Sequence, residues 1–204
     1  MAVAISPDNR WLVTGSQDNT ARLWDLAAMR RVSGSRGDPA AASIVLHGHA
    51  GILSAAAFSP DGRCLATASR DTTVKIWDIS SALNTGASSG EERLTLSGHN
   101  AAVNSVAFSR DGKRLASASA DGTVRVWDPG TGEELLAIST HPIGVGRVAF
   151  SQDGTRLITA NWDNTVRVYL LSIEELISLA RSRLTRGLTD EECRQYLHVE
   201  VCPE

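Results

Sequence analysis

The chain has 204 residues, which allows one medium domain or one domain with a small appendage. Its 20 Lys and Arg residues nearly balance its 23 Asp and Glu residues, and a net charge of −3 excludes nucleic acid as the expected partner because no excess of cations is available for phosphates. Hydrophobic residues make up 42%, enough for a core, but no apolar run approaches the ~18 residues of a membrane helix, so we expect no membrane partner.

The N-terminal segment predicts a cytoplasmic protein rather than a secreted one. Residues 1–10 lack a basic region followed by an apolar region, and Pro7-Asp8-Asn9 interrupts them. Cys64, Cys193 and Cys202 are odd in number and contain no CxxC pair, so neither a disulfide framework nor a zinc site is indicated. We therefore expect free thiols, no metal and no cofactor.

A short motif recurs four times along the chain. It reads Ser-x-Asp-Gly, or Ser-Pro-Asp-Asn in the first copy, and each copy is followed downstream by an aromatic residue. The motif begins at Ser6, Ser59, Ser109 and Ser151, and the aromatic residues are Trp24, Trp77, Trp127 and Tyr169. Since these aromatic residues are 42 to 53 positions apart, the chain is predicted to be a repeat protein with insertions in its longer intervals.

Within a repeat, the residue pattern predicts three short strands. In the third copy these are Val103 to Phe108, Arg114 to Ser119 and Thr123 to Trp127, all rich in β-branched, aromatic and small residues. Asp111-Gly112 and Asp121-Gly122 separate them and are typical of two-residue turns, because Gly, Asn and Asp tolerate positive φ. A fourth strand is predicted before each Gly-His pair, so each unit should form a four-stranded antiparallel sheet.

Two copies run from a Gly-His pair to a Trp-Asp pair. They are Gly48-His49 to Trp77-Asp78 and Gly98-His99 to Trp127-Asp128. These residues resemble the WD40 repeat family, and the resemblance extends over residues 1–169. It implies an all-β fold, a partial WD40 β-propeller of about four blades whose last outer strand is missing. The units lie at about 1–25, 43–78, 92–128 and 134–169.

The resemblance also implies a structural role for four residue types. In that family a hydrogen-bonded tetrad of His, Ser or Thr, Asp and Trp locks each blade. The complete sets would be His49, Thr67, Asp71 and Trp77, and His99, Ser117, Asp121 and Trp127. The fourth unit would supply His141, Thr159, Asp163 and Tyr169, and the first Thr14, Asp18 and Trp24 without a His. We expect the Tyr hydroxyl to replace the indole donor in part.

These side chains also suggest two other kinds of site. A Ser or Thr with His and Asp also makes a hydrolytic triad, but a catalytic constellation is normally built once, whereas this one recurs. His47 and His49 could form a metal pair, yet no Asp, Glu or Cys lies nearby at ligand spacing. We therefore predict that the chain has no catalytic and no metal-binding residues.

The resemblance places another set of residues on the upper surface of the propeller. The residues before the turn Asp are Gln17, Arg70, Ala120 and Trp162, and the starts of the first strands add Ser54, Asn104 and Gly146. Trp and Arg are enriched in binding hot spots, so Trp162 and Arg70 are the first candidates for binding a protein, followed by Asn104 and Gln17. The alternative is a solvated Arg and a Trp packed on its neighbouring blade.

Helical signals replace the repeat after Tyr169. Ser172-Ile173-Glu174-Glu175 and Thr189-Asp190-Glu191-Glu192 predict two capped helices, so the chain is divided into a repeat region, 1–171, and a two-helix extension, 172–204. This tail resembles the helical ending of bacterial multidomain WD40 proteins, which commonly carry a signalling module upstream.

These observations predict a non-catalytic interaction scaffold or sensing module, the C-terminal part of a larger bacterial signalling or defence-type protein. One alternative is a half-propeller that self-associates into a closed homodimeric ring. Another is a propeller enzyme or small-molecule binder that uses the central channel. A seven-bladed ring needs ~295 residues at ~42 per blade, so four blades predict the back portion of a propeller, completed by upstream blades or by a second copy.

Overall fold

The computed structural model describes residues 2–32, 43–80, 91–139 and 143–172, together with Ile177. The chain divides into two units, Met1–Tyr169 and Leu170–Glu204. The helix pair predicted within residues 172–204 lies outside the described residues, so it stays a prediction. In the described part of the chain, no helix is long and apolar enough to cross a membrane.

Four antiparallel sheets make up the first unit, and we call them blades 1 to 4. Blade 1 contains β1 (Ala2–Ile5), β2 (Trp11–Gly15), β3 (Ala21–Asp25) and β4 (Ser43–Leu46). Blade 2 contains β5 (Leu53–Phe58), β6 (Cys64–Ser69), β7 (Val74–Asp78) and β8 (Glu91–Leu96). Blade 3 contains β9 (Val103–Phe108), β10 (Leu115–Ser119), β11 (Thr123–Trp127) and β12 (Glu134–Ser139). Blade 4 contains β13 (Val145–Phe150), β14 (Arg156–Asn161) and β15 (Val166–Leu170).

The order of strands in every blade follows the order of the chain. Each strand pairs with the next, so each blade is a meander, and blade 4 ends at its third strand in the described part of the chain. The prediction of an all-β partial propeller with about four blades is confirmed. As predicted, blade 4 has no outer strand among the residues that the structure describes.

Aspartate at the end of the third strand organises the connection that follows. Asp25 Oδ1 accepts from the amide of Ala27 at 2.8 Å and begins α1 (Leu26–Val32), a helix that the strand pattern does not predict. Asp78 accepts from the Ser80 amide at 2.9 Å, and Asp128 accepts from the Gly130 amide at 2.7 Å. The Asp of the Trp-Asp pair therefore caps the turn that leaves the strand.

The two hairpin turns of each blade place one residue at positive φ. In the turn after the first strand this residue is Asn9, Gly62, Gly112 or Gly154. In the turn after the second strand it is Asn19, Thr72, Gly122 or Asn164. Gly and Asn adopt this region at little cost, so the Asp-Gly and Asp-Asn signals predicted these turns well. Thr72, at φ 74°, is the β-branched exception.

The core is a series of contacts between neighbouring blades. Leu23 and Trp11 of blade 1 pack in one buried cluster with Leu65 and Trp77 of blade 2. A second cluster repeats this arrangement between blades 2 and 3, with Val74, Ile76 and Leu96 against Val103, Leu115 and Trp127. Each blade is thus stabilised mainly by its neighbours, as expected for a repeat protein.

Candidate protein-interaction surface

The tetrad residues of the second repeat form one continuous hydrogen-bonded chain. His49 Nδ1 lies 2.7 Å from Asp71 Oδ2, and His49 Nε2 lies 2.8 Å from Thr67 Oγ1. The indole N–H of Trp77 donates to the same Thr67 oxygen at 2.8 Å. These side chains come from the loop before β5 and from β6, β7 and the turn between them, so the network ties that loop to two strands.

The third repeat reproduces this geometry. His99 Nδ1 lies 3.0 Å from Asp121 Oδ2, and His99 Nε2 lies 2.7 Å from Ser117 Oγ. Trp127 Nε1 donates to Ser117 Oγ at 2.8 Å. In both repeats the imidazole and indole rings meet edge to face, with their centroids 6.4 Å apart.

Donors and acceptors along the network match one to one when the imidazole is neutral. The indole donates to the hydroxyl, the hydroxyl donates to Nε2, and Nδ1–H donates to the carboxylate, so each hydrogen has one acceptor. Burial lowers the pKa of His49 and of His99, and the facing carboxylates offset this only in part. Both histidines are therefore neutral at pH 7.

The carboxylates of the network stay ionised although they are largely buried. Burial by itself raises the pKa of Asp71, but hydrogen bonds from Thr73, His49 and the Ala50 amide outweigh it and hold the pKa at about 2. For Asp121, donation from Thr123 and from the Asn100 amide likewise outweighs burial and lowers the pKa to about 2. Several donors thus satisfy each charge.

The fourth repeat departs from the expected network. Thr159 Oγ1 and the Tyr169 hydroxyl are both buried, and neither has a hydrogen-bond partner in the part of the chain that the structure describes. The expectation that Tyr169 partly replaces the indole donor is therefore wrong, since its hydroxyl does not reach Thr159. Asp163 accepts from Thr165, while His141 lies outside the described residues.

The first repeat has only half of the network. Trp24 Nε1 donates to Thr14 Oγ1 at 2.9 Å, as in the complete repeats. Asp18 is exposed and accepts from the amide and the hydroxyl of Thr20. No histidine connects Asp18 to the Trp24–Thr14 hydrogen bond, so Asp18 stabilises its own turn.

The complete tetrads are closed to a substrate. Thr67 and Ser117 have no exposed surface, and each hydroxyl is already engaged by a histidine and an indole. A nucleophile must reach the reacting atom, so these hydroxyls serve packing rather than attack. Within residues 2–32, 43–80, 91–139 and 143–172, no group of three or more His, Cys, Asp or Glu side chains could hold a metal ion.

The loops between the second and third strands carry most of the predicted surface residues. Their backbones are joined to the loops before the first strands, since Arg70 N–H donates to Ile52 O at 2.9 Å and Trp162 N–H donates to Gly144 O at 3.2 Å. Ala120 makes the same bond to Ala102 at 2.9 Å. We call the surface formed by these loops the upper surface. Gln17 and Arg70 lie exposed on it.

Trp162 is the largest exposed side chain of the upper surface. It is 53% exposed, and its ring lies over two glycines at the start of blade 4. A Cβ at Gly144 would lie 3.0 Å from Cε3 of the indole, and a Cβ at Gly146 would lie 3.0 Å from Nε1. Trp162 thus packs against glycines of its own blade, and about half of its surface is open to solvent.

A comparison with known families agrees with this geometry. The family model described as "WD domain, G-beta repeat" matches residues 1–25, 42–78, 90–128 and 132–169, which together make up more than half of the chain. The chain belongs to the WD40 family. The expected WD40 repeats are therefore confirmed, and all four carry a matched segment.

Several curated WD40 relatives match part of the chain. The guanine nucleotide-binding protein subunit beta of Arabidopsis thaliana is 39% identical over 80 residues, 39% of this chain and 19% of the relative. Transducin beta-like protein 3 of Bos taurus is 37% identical over 87 residues, 41% of this chain and 11% of the relative. Striatin-4 of Homo sapiens is 34% identical over 82 residues, 40% of this chain and 11% of the relative. The matches thus span less than one fifth of each relative.

One predicted surface residue is used between WD40 blades instead. The Asn104 amide nitrogen donates to Val145 O of blade 4 at 2.9 Å, so this half-buried side chain ties blade 3 to blade 4. Ser54 makes the equivalent bond from blade 2 to Val103 O of blade 3. The next position in this series is Gly146, which has no side chain, and the Trp162 indole occupies that space. Asn104 therefore belongs to blade packing, and only the spacing between repeats could have indicated this link from the sequence.

Proposed function

We propose that this chain is a non-catalytic protein-interaction module and that its upper surface around Trp162 binds a protein partner. The observation that carries the proposal is a large aromatic side chain, half exposed, whose ring is supported by Gly144 and Gly146. Hot spots are typically Trp, Tyr or Arg residues held in place before binding, since a fixed side chain loses little entropy on association.

Two further side chains of the upper surface supply an apolar and a charged contact. Ile143 precedes Gly144 and is exposed, which extends the apolar area next to the indole. Arg70 is exposed two blades away and offers a guanidinium for hydrogen bonds. A partner with an apolar anchor flanked by an acidic group fits this arrangement.

Trp162→Ala is expected to weaken partner binding about tenfold or more, as truncation of an aromatic hot spot does. The full-length chain would be expressed in its own host, and bound proteins would be quantified by mass spectrometry for wild type, Trp162→Ala and Arg70→Ala. The matched control is Arg110→Ala, in an exposed turn between β9 and β10. Partners lost with Trp162→Ala but kept with Arg110→Ala support the proposal, whereas equal capture by all variants contradicts it.

We further propose a cytoplasmic protein with a domain boundary at residues 171 and 172. The proposal that it is the C-terminal part of a larger bacterial signalling or defence-type protein is supported by the resemblance of the tail. The relatives described above are eukaryotic, and one of them is by its name a subunit of an assembly. That relationship favours a role in protein assembly for this chain without indicating its source.

A second candidate is self-association of half-propellers into a closed ring. Val166 and Val168 of blade 4 are 69% and 57% exposed, whereas Val74 and Ile76, at the same distances before Trp77, are 0% exposed against blade 3. At the other end of the unit, Val3 and Ile5 of β1 are exposed as well. In the other blades such apolar faces pack against a neighbouring blade. If the exposed faces of blades 1 and 4 cover each other between two copies, a two-fold ring of eight blades results.

Sedimentation of the purified chain tests this second candidate. We expect a discrete, well-folded dimer of 21.7 kDa subunits if the two end faces cover each other. Aggregation or a poorly folded monomer would instead favour a propeller ring that is completed by other blades of the same protein. In that case the circular dichroism spectrum would lack the signature of a stable β-sheet protein at low concentration.

A further inference from the structure

The indole N–H of Trp162 differs from the indole donors inside the blades. Trp24, Trp77 and Trp127 each donate to a Thr or Ser hydroxyl of their own blade. Trp162 Nε1 has no acceptor among the residues that the structure describes, and Trp162 is 53% exposed. Since an indole nitrogen can only donate, this group is available to an acceptor that a partner brings.

Blades 2 and 3 use a side-chain donor at one fixed position to bind the strand of the following blade. This position is the second residue of the first strand, Ser54 in blade 2 and Asn104 in blade 3. Ser54 donates to Val103 O, and Asn104 donates to Val145 O at 2.9 Å. In both cases the acceptor is a main-chain carbonyl at the start of an extended strand. A donor at this position therefore recognises backbone and not a particular side chain.

Trp162 brings a donor to the same position of blade 4, where Gly146 has no side chain of its own. A Cβ at Gly146 would lie 3.0 Å from Nε1 and 3.2 Å from Cδ1 of the indole. The indole nitrogen thus lies in the space that a side chain of residue 146 would fill. The donor that Ser54 and Asn104 supply from the first strand is supplied in blade 4 by the loop after the second strand.

The indole is held in place by close contacts with blade 4. The backbone N–H of Trp162 donates to Gly144 O at 3.2 Å, and a Cβ at Gly144 would lie 3.0 Å from Cε3 of the ring. The same Cβ would lie 3.0 Å from Ala120 O, so there is room only for glycine at this position. A donor fixed in this way loses little conformational entropy when it binds.

We infer that the partner of the upper surface presents an extended segment, one main-chain carbonyl of which accepts from the Trp162 indole N–H. An aliphatic side chain of the same segment packs on the exposed part of the ring. Beside this apolar ring a neutral carbonyl is favoured over a carboxylate, because a carboxylate would lose more hydration there. This inference rests on the proposed function and adds the chemistry that the partner offers to the same surface.

The probe is a ten-residue linear peptide selected by phage display on the full chain, with counter-selection against Trp162→Ala. Fluorescence anisotropy measures its binding to wild type and to a chain with 3-benzothienylalanine at position 162, which we call the isosteric variant. This residue keeps the size of the indole but has sulfur in place of the N–H. The matched control carries the same residue at position 11, because the buried Trp11 Nε1 donates to no group in the described part of the chain.

We expect the isosteric variant to bind the peptide about fivefold more weakly than wild type, because one hydrogen bond is lost while the ring stays in place. The control at position 11 should bind as wild type does. Gly146→Ala should also weaken binding severalfold, since its methyl group would displace the indole nitrogen. Circular dichroism establishes that each variant is folded.

A second measurement identifies the acceptor on the peptide. Each amide of the peptide is replaced in turn by an ester, whose carbonyl oxygen is a weaker hydrogen-bond acceptor. We expect one ester to weaken binding to wild type about fivefold and to leave binding to the isosteric variant unchanged. Because an ester also lacks the amide N–H, only this difference between the two chains reports on the bond to Trp162.

The outcomes separate this inference from the proposed function. Equal binding by wild type and the isosteric variant overturns the inference but leaves the proposed function, because the peptide was selected to need Trp162. A loss of affinity on removal of an Asp or Glu side chain of the peptide, with no sensitive ester, makes the acceptor a carboxylate and also overturns it. If counter-selection leaves no peptide, the proposed function and the inference both fail.

Discussion

Asp121→Ala is expected to lower the free energy of unfolding by about 2–4 kcal/mol. The carboxylate accepts from His99, from the Asn100 amide and from Thr123. Its removal leaves the buried His99 and the half-buried Thr123 without their acceptor. His99 also orients Ser117, so the loss extends to the bond that Trp127 makes. Equilibrium unfolding in urea, followed by tryptophan fluorescence, measures the change.

The first blade supplies a matched control for this substitution. Asp18 occupies the corresponding position, but it is exposed and accepts from Thr20 without a histidine partner. We expect Asp18→Ala to cost much less than Asp121→Ala, while Asp121→Asn should fall between wild type and Asp121→Ala because one acceptor oxygen remains. An unchanged midpoint for Asp121→Ala would show that the tetrad does not stabilise blade 3.

Acid is expected to destabilise the repeat region in two steps. Burial lowers the pKa of His49 and His99, so unfolded chains bind protons on these rings at a pH where the folded chain does not, and stability falls as pH drops below 6.5. Asp71 and Asp121, with pKa values of about 2 against an ordinary 3.8, add a second loss as pH falls from about 4 to 2. After allowance for solvent screening, each carboxylate contributes about 1–2 kcal/mol to this step.

The contribution of one carboxylate can be isolated with Asp121→Asn. The difference in unfolding free energy between wild type and this variant should narrow by about 1–2 kcal/mol between pH 6 and pH 2, because wild-type Asp121 becomes protonated only near pH 2. A difference in unfolding free energy that stays constant from pH 6 to pH 2 would contradict a lowered pKa for Asp121. His99→Gln should likewise reduce the loss of stability just below pH 6.5.

Features that depend on local sequence were predicted well. Strands β9, β10 and β11 follow from alternating β-branched and small residues between Asp-Gly turns. Their observed bounds match the predicted ones, except that β10 begins at Leu115 and not at Arg114. The turns are local because positive φ is a property of single residues such as Gly112 and Gly122. By contrast, α1 follows β3 directly and depends on the cap that Asp25 provides, a contact with no counterpart in the strand pattern.

Features that depend on contacts between blades were not visible in the pattern. Asn104 was predicted to face a partner, but its amide is directed to a carbonyl 41 positions later in the chain. Tyr169 was expected to donate to Thr159, but the two buried oxygens do not meet. In both cases the outcome depends on the distance between strands, which residue types do not specify.

The sequence by itself determined that this chain carries four repeated WD40 units, two of them with a complete tetrad, and that its last blade has three strands in the part of the chain that the structure describes. These properties follow from residue types at fixed spacing, because hairpins and tetrads are built within one repeat. Only the tertiary structure decided that Trp162 rests on Gly144 and Gly146, and that Val166 and Val168 of β15 are exposed. Exposure is the result of what packs against a side chain, and that is settled by neighbouring strands and blades rather than by the repeat itself.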